Sequence, residues 1–102
     1  MATGIGDQLP RSNALFQNKP NPFNPSTTIT YTIKDRAPVS LRVYNVAGKL
    51  VRTLVNETLD ANSYVRAWDG RSDEGAKVSS GVYFYKMVAD DFNKIEKTLL
   101  LR

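Results

Sequence analysis

With 102 residues, of which 41% are hydrophobic and 24% are charged, the chain has the size and composition of one globular domain and is too apolar for a disordered segment. It contains no histidine and no cysteine, which excludes disulfides, thiolate metal sites and the commonest catalytic bases, so we expect neither an enzyme nor a cofactor. The net charge of +4 comes from 14 basic residues scattered among 10 acidic ones, which argues against nucleic-acid binding, and no apolar stretch approaches the ~20 residues of a transmembrane helix.

The beginning of the chain, residues 1–15, is polar, contains glycine and proline, and has no apolar period. We therefore expect a linker or flexible lead-in over residues 1–15 and a folded domain over residues 16–102. Three prolines then follow within residues 20–25. Because each proline fixes φ and lacks a backbone N–H, these residues predict an extended, turn-rich entry to the domain.

Strict alternation of apolar and polar side chains predicts the first two strands. Residues 27–33 alternate between threonines and larger apolar residues, which is typical of a half-buried strand. Residues 39–44 repeat the pattern, with Ser40, Arg42 and Tyr44 on the polar side. Each of these segments should bury one face and expose the other.

A hairpin should follow, because Gly48 can adopt the positive φ of a tight turn and residues 50–55 resume an extended apolar pattern. Residues 56–63 are rich in turn-forming side chains and predict a loop. Residues 64–68 predict another strand. Its last residue, Trp68, is the only tryptophan, and we expect it to be buried between two sheets.

The acidic segment 69–75 admits two interpretations. Its Asp, Glu and Gly residues could form a calcium-binding loop, but Arg71 occupies a position where an oxygen ligand would be needed. Asp also favours turns, because its side chain bonds nearby backbone groups. The pattern favours a turn and leaves Ca²⁺ binding open.

Residues 81–88 form the most strand-like segment, apolar on both faces, which predicts a central strand. Its Tyr83 and Tyr85 share a face, so they could stack against a sugar ring or, as burial statistics favour, fill the core. Residues 94–102 predict the last strand. About seven strands without a helical period predict an all-β sandwich of two antiparallel sheets.

Five segments together carry a family resemblance. They are residues 20–25 (PNPFNP), 43–51 (VYNVAGKLV), 68–70 (WDG), 80–87 (SGVYFYKM) and 97–102 (KTLLLR). In this order they resemble the C-terminal sorting domain of the type IX (Por) secretion system. The similar domain of flagellar hook-capping proteins shares the Trp-Asp-Gly turn and the Gly-x-Tyr strand, but the proline-rich entry and the basic C-terminus fit the sorting family better.

The resemblance implies an immunoglobulin-like sandwich that is carried by a larger passenger protein and reaches the cell surface or the medium. It implies an outer-membrane translocon as partner and, in many cases, a cell-surface sortase. It also places the recognition surface in the last hairpin, where our candidate contact residues are Tyr83, Lys86, Lys94, Lys97, Leu100 and Arg102. A structural or adhesive module, either like the hook-capping domain or an accessory carbohydrate-binding domain, is the alternative.

Within this last hairpin, alternation puts Leu99 and Leu101 on one face and Leu100 on the other. The strand therefore either lies between covered surfaces or leaves Leu100 available to a partner, and the second option suits a docking role. The same argument places Lys97 on the face of Leu99, with Arg102 at the open end of the strand.

Overall fold

The computed structural model describes residues 9–102, which contain seven strands and no helix. The strands are β1 (Ala14–Leu15), β2 (Thr27–Ile33), β3 (Ala37–Tyr44), β4 (Leu50–Leu59), β5 (Asn62–Trp68), β6 (Gly81–Ala89) and β7 (Phe92–Leu100). They form a three-stranded sheet in the order β1-β2-β5 and a four-stranded sheet in the order β4-β3-β6-β7. Neighbouring strands pair antiparallel throughout, which confirms the predicted sandwich, and β6 has a partner on each side, as predicted.

The core lies between the two sheets and is built by the alternation of β2, β3 and β6. Every second residue of these strands is buried, beginning with Thr27 in β2, Ala37 in β3 and Tyr83 in β6. Trp68 is 1% exposed, as predicted, and its ring packs against Tyr83 and Phe23. Aromatic side chains from both sheets and from the proline-rich entry therefore meet at one end of the sandwich.

The ordered unit begins before residue 16, so the predicted linker over residues 1–15 is wrong for its last residues. Ala14 and Leu15 pair with β2, and the Leu15 side chain is fully buried in the core. The Thr32 hydroxyl also donates to the carbonyl of Ser12 at 2.9 Å. The local sequence has no period because only two residues enter the sheet. Residues 1–8 of the predicted linker lie outside the described residues.

The predicted loop over residues 56–63 is also wrong. Strand β4 continues to Leu59 because its whole length pairs with β3, and β5 already begins at Asn62. Only residues 60–61 connect them, and they carry the chain from one sheet to the other. The polar residues 56–58 are compatible with a strand because β4 is an edge strand, whose outer side chains remain in water.

The proline-rich entry is held by a small buried polar network. The Asn18 amide donates to the Thr27 hydroxyl at 2.9 Å and to the Pro20 carbonyl at 3.0 Å. The Thr27 hydroxyl donates to the same carbonyl at 2.8 Å. Asn18 and Thr27 are both buried, so these bonds satisfy groups that would otherwise be costly to remove from water. They fix the extended entry relative to the start of β2.

Candidate functional site

The C-terminal strand β7 is covered along part of its outer edge by the proline-rich entry. Phe23 accepts a hydrogen bond from the Leu101 N–H and donates one to the Leu99 carbonyl, each at 3.0 Å. The Asn21 side chain accepts a third bond from the Leu99 N–H at 3.1 Å. The entry segment thus acts as an extra strand on β7 and makes the end of the chain part of the fold.

The last residue is fixed in the same way. The Arg102 N–H donates to the Ser80 hydroxyl at 2.8 Å, and its guanidinium donates to the carbonyls of Val78 and Gly70. The strand itself ends at Leu100, two residues earlier than predicted. The Arg102 guanidinium is therefore held by backbone acceptors beside the Trp-Asp-Gly turn.

Two of the six candidate contact residues lie in the core, so the expectation that they meet a partner is wrong. Leu100 is fully buried and Tyr83 is 5% exposed. In β7 it is Leu100 that points between the sheets, while Leu99 faces outward and is half-buried and Leu101 is exposed. Alternation separated these leucines correctly, but where both faces of a strand carry apolar residues, as in β7, it does not say which face meets the core.

The two tyrosines considered as a sugar-binding platform are both core residues. Tyr85 is 1% exposed, and its hydroxyl donates to the Phe16 carbonyl at 2.7 Å. Burial raises the pKa of the Tyr85 phenol well above its ordinary value, because the charged form would lose its hydration. Tyr83 donates to the Ser79 carbonyl at 2.7 Å. Neither ring offers a face to a ligand in water.

Lys94 is a third candidate whose charge is already paired. Its ammonium lies 3.1 Å from a carboxylate oxygen of Glu96 and donates to the Leu15 carbonyl at 3.1 Å. The side chain therefore bridges β7 to β1 at the side of the sandwich. It contributes to the contact between the sheets.

Lys86 and Lys97 are brought together on the outward face of the four-stranded sheet. Phe84 pairs with Lys97, and Lys86 pairs with Ile95, so all four residues share one face. Tyr44 pairs with Phe84 from the other side and extends this surface to β3. We call this surface the outer face.

The outer face combines apolar and cationic side chains. The outward positions of β3, β6 and β7 are Pro38, Ser40, Arg42, Tyr44, Val82, Phe84, Lys86, Val88, Asn93, Ile95, Lys97 and Leu99. They contain three cations and no carboxylate. None of these cations forms an ion pair within residues 9–102. A shallow groove between Tyr44, Phe84 and Ile95 gives the face an apolar centre, and Val46, 73% exposed, stands beside it.

Comparison with known proteins fits this architecture. Residues 20–92 match the family described as the FlgD Ig-like domain, which is well over half of the chain. The chain belongs to the FlgD Ig-like domain family. No curated protein sequence matches it significantly.

Solved structures share the fold of this FlgD Ig-like domain at low sequence identity. Dimeric latent PorU from Porphyromonas gingivalis is 21% identical with a TM-score of 0.64, and the match covers 87% of this chain and 9% of PorU. PorZ from the same organism, a surface component of the type-IX secretion system, is 20% identical with a TM-score of 0.61, over 87% of this chain and 12% of PorZ. FlgD from Xanthomonas campestris is 17% identical with a TM-score of 0.58, over 89% of this chain and 63% of FlgD. The chain thus spans about a tenth of PorU and PorZ.

The acidic segment 69–75 of this FlgD Ig-like domain is a turn. An oxygen of Asp69 accepts a hydrogen bond from the Arg71 N–H at 3.1 Å, and one of Asp73 accepts from the Thr53 N–H at 2.9 Å. Both carboxylates also lie within 4 Å of the Arg52 guanidinium, at 3.5 and 3.8 Å. No group of three His, Cys, Asp or Glu side chains that could hold a metal ion occurs in residues 9–102.

The membership of the outer face was only partly visible in the sequence. Alternation placed Arg42 and Tyr44 opposite the core, and it placed Phe84 and Lys86 opposite Tyr83. What the sequence lacks is the register that puts Tyr44 beside Phe84. Within residues 9–102, no helix is long and apolar enough to cross a membrane.

Proposed function

We propose that this domain is a non-catalytic sorting and docking module, which directs a larger exported protein through the type IX secretion system to the cell surface. The observation that carries the proposal is the five-segment resemblance to sorting domains, combined with the fold shared with a part of PorZ. The match covers only a small share of PorU and of PorZ, so this fold occurs as one part of much larger chains. A passenger upstream of the domain would be its cargo.

The geometry suggests how such a signal is read. The end of the chain is bonded into the fold through Phe23 and Arg102, so a receptor meets a folded surface. Lys86 and Lys97 of the outer face form no ion pair within residues 9–102, and they are the predicted contact residues that such a receptor would meet. In this proposal the outer-membrane translocon binds that face, and a cell-surface sortase acts on the passenger afterwards. The domain itself needs no catalytic group.

The proposal can be tested by fusing the domain to the C-terminus of a reporter enzyme that carries a signal peptide. In a host with a type IX system, we expect the reporter at the cell surface or in the medium. Without the domain, or in a translocon-deficient host, it should stay in the periplasm. Export that persists in both of these controls would contradict the sorting role.

Charge reversal addresses the contact surface. The double variant Lys86→Glu with Lys97→Glu should reduce export, because the outer face would lose its positive charge. Lys34→Glu with Lys77→Glu is the matched control, since both lysines are exposed and lie away from the outer face. Equal export by the two double variants would remove the outer face from the proposal without affecting the sorting role.

A structural role is the second candidate, and the family match over residues 20–92 favours it. The fold is shared with FlgD from X. campestris, whose structure is described as giving insights into hook capping essential for flagellar assembly. Replacing the corresponding domain of that FlgD with this chain tests the role. Restored hook assembly together with failed export of the reporter would favour the structural module over the sorting module.

A further inference from the structure

Strand β5 has an outer edge that pairs with no other strand within residues 9–102. The Thr30 carbonyl of β2 accepts a hydrogen bond from the Phe16 N–H, directly after β1. The backbone N–H and C=O groups of the even-numbered residues of β2 therefore point toward β1 and away from β5. Odd-numbered residues of β2 therefore bond β5, where their partners are even-numbered. This leaves the N–H and C=O groups of Ser63, Val65 and Ala67 directed away from the sheet. Within residues 9–102, none of them has a backbone partner, although the Ser63 N–H donates to the Asn62 side chain at 2.8 Å.

The other sheet edges are protected over at least part of their length. β1 has only two residues, and β7 is covered over residues 97–101 by Gln17, Asn21 and Phe23. β4 pairs irregularly with β3 at two places, and Asp73 bonds its outer edge by donating to the Val51 carbonyl and accepting from the Thr53 N–H. Short, bulged or covered edges resist strand addition, whereas a long open edge favours it. Within residues 9–102, β5 is the edge strand that is neither short, bulged nor covered by another segment.

The side chains along this edge suit a second strand. Ser63, Val65 and Ala67 are exposed and uncharged, and Val65 is 65% exposed. The one charged residue of β5 is Arg66, which points to the opposite side and lies 3.8 Å from Glu57 of β4. β5 contains neither proline nor lysine, the residues that commonly block edges.

We propose that the β5 edge pairs antiparallel with the β5 edge of a second copy of this chain, with the two-fold axis at Val65. In this register Val65 meets Val65 of the other copy, and Ser63 meets Ala67, giving about four backbone hydrogen bonds, since the Ser63 N–H is already bonded to Asn62. Arg66 faces Tyr64 across the pair, so no like charges oppose each other and a cation–π contact can form. This inference goes beyond the proposed sorting role and does not depend on it.

Charge argues for a second copy at this edge and against one at the outer face. Two outer faces brought together would oppose Arg42, Lys86 and Lys97 without a carboxylate. The β5 edges are self-complementary, and their pairing would cover Val65, the most exposed large apolar side chain within a strand. One strand per copy makes an interface below the ~1,200 Å² of stable complexes, so the dimer should be weak and depend on concentration.

Sedimentation equilibrium of the full chain from micromolar to millimolar concentration tests the proposal, with amide hydrogen exchange measured over the same range. We expect a monomer–dimer equilibrium. The N–H groups of Val65 and Ala67 should exchange more slowly as the concentration rises, because they become bonded only in the dimer. The Tyr64 and Arg66 N–H groups are already bonded to β2 and should change little.

Val65→Lys should abolish the dimer, since two ammonium groups would meet at the axis, while Val65→Thr should retain it. Ile95→Lys is the matched control, because Ile95 is 56% exposed on a strand of the other sheet. A chain that stays monomeric to millimolar concentration would overturn the proposal. So would a dimer that survives Val65→Lys, since it must use another surface.

Discussion

Replacing Trp68 with alanine should destabilise the domain more than other single changes discussed here. The indole is 1% exposed, and its ring centroid lies 5.4 Å from Phe23 and 5.3 Å from Tyr83. Removing a buried Trp side chain costs about 3–5 kcal/mol through lost burial and the cavity left behind. The indole Nε1–H also donates to the Arg71 carbonyl at 2.9 Å, a bond worth about 1 kcal/mol. We expect a loss near the top of that range, against a total stability of about 5–15 kcal/mol.

Urea unfolding followed by far-UV circular dichroism measures this loss, because the variant lacks the only tryptophan for fluorescence. Trp68→Phe keeps most of the ring contacts but not the Nε1–H, so its loss should be about 1–2 kcal/mol. Val46→Ala is the control, since Val46 is 73% exposed and should change stability by less than about 0.5 kcal/mol. A Trp68→Ala loss below about 1 kcal/mol would refute the view that this ring anchors the core.

Two further outcomes follow from the turns and the core. Gly70 and Gly48 have φ of +71° and +81°, so alanine at either should cost about 1 kcal/mol in backbone strain. At Gly70 the new Cβ would also lie 2.8 Å from the Arg102 guanidinium, whereas nothing lies within 4 Å of a Cβ at Gly48. Thermal melting should therefore show a larger loss of stability for Gly70→Ala than for Gly48→Ala. Equal losses would argue against this packing. Burial raises the pKa of Tyr85 above its ordinary value of 10.0. The contribution of Tyr85 to the free energy of unfolding is therefore complete below pH 10 and declines as the pH rises further. Tyr85→Phe should flatten this decline in the free energy of unfolding at alkaline pH. At neutral pH the variant should lose about 1 kcal/mol, because the hydrogen bond to the Phe16 carbonyl is removed. An unchanged alkaline decline would show that Tyr85 is not the group that ionises.

Local pattern was sufficient for the strands whose two faces differ in polarity. β2 has the predicted bounds, and its Ile29, Tyr31 and Ile33 are buried while the threonines between them are exposed or half-buried, apart from buried Thr27. The burial of Trp68 was equally predictable. Period-two alternation records which face meets the core, because each side chain is either removed from water or left in it.

Local pattern failed where a neighbouring strand supplies the stabilisation. Residues 56–59 extend β4 because β3 offers them backbone partners, although their own side chains favour a turn. Leu15 lies in the core because β1 pairs with β2. A strand of two residues is too short to show an alternating pattern in the sequence.

The candidate site shows the same division. The sequence determined the residue types at the end of the chain and the alternation of Leu99 with Leu100. Only the tertiary structure decided that Leu100 is buried, that the Arg102 guanidinium bonds backbone carbonyls, and that Lys86 and Lys97 share the outer face. The physical reason is that strand register and sheet order are set by hydrogen bonds and packing between segments far apart in the chain, which no local window of residues contains.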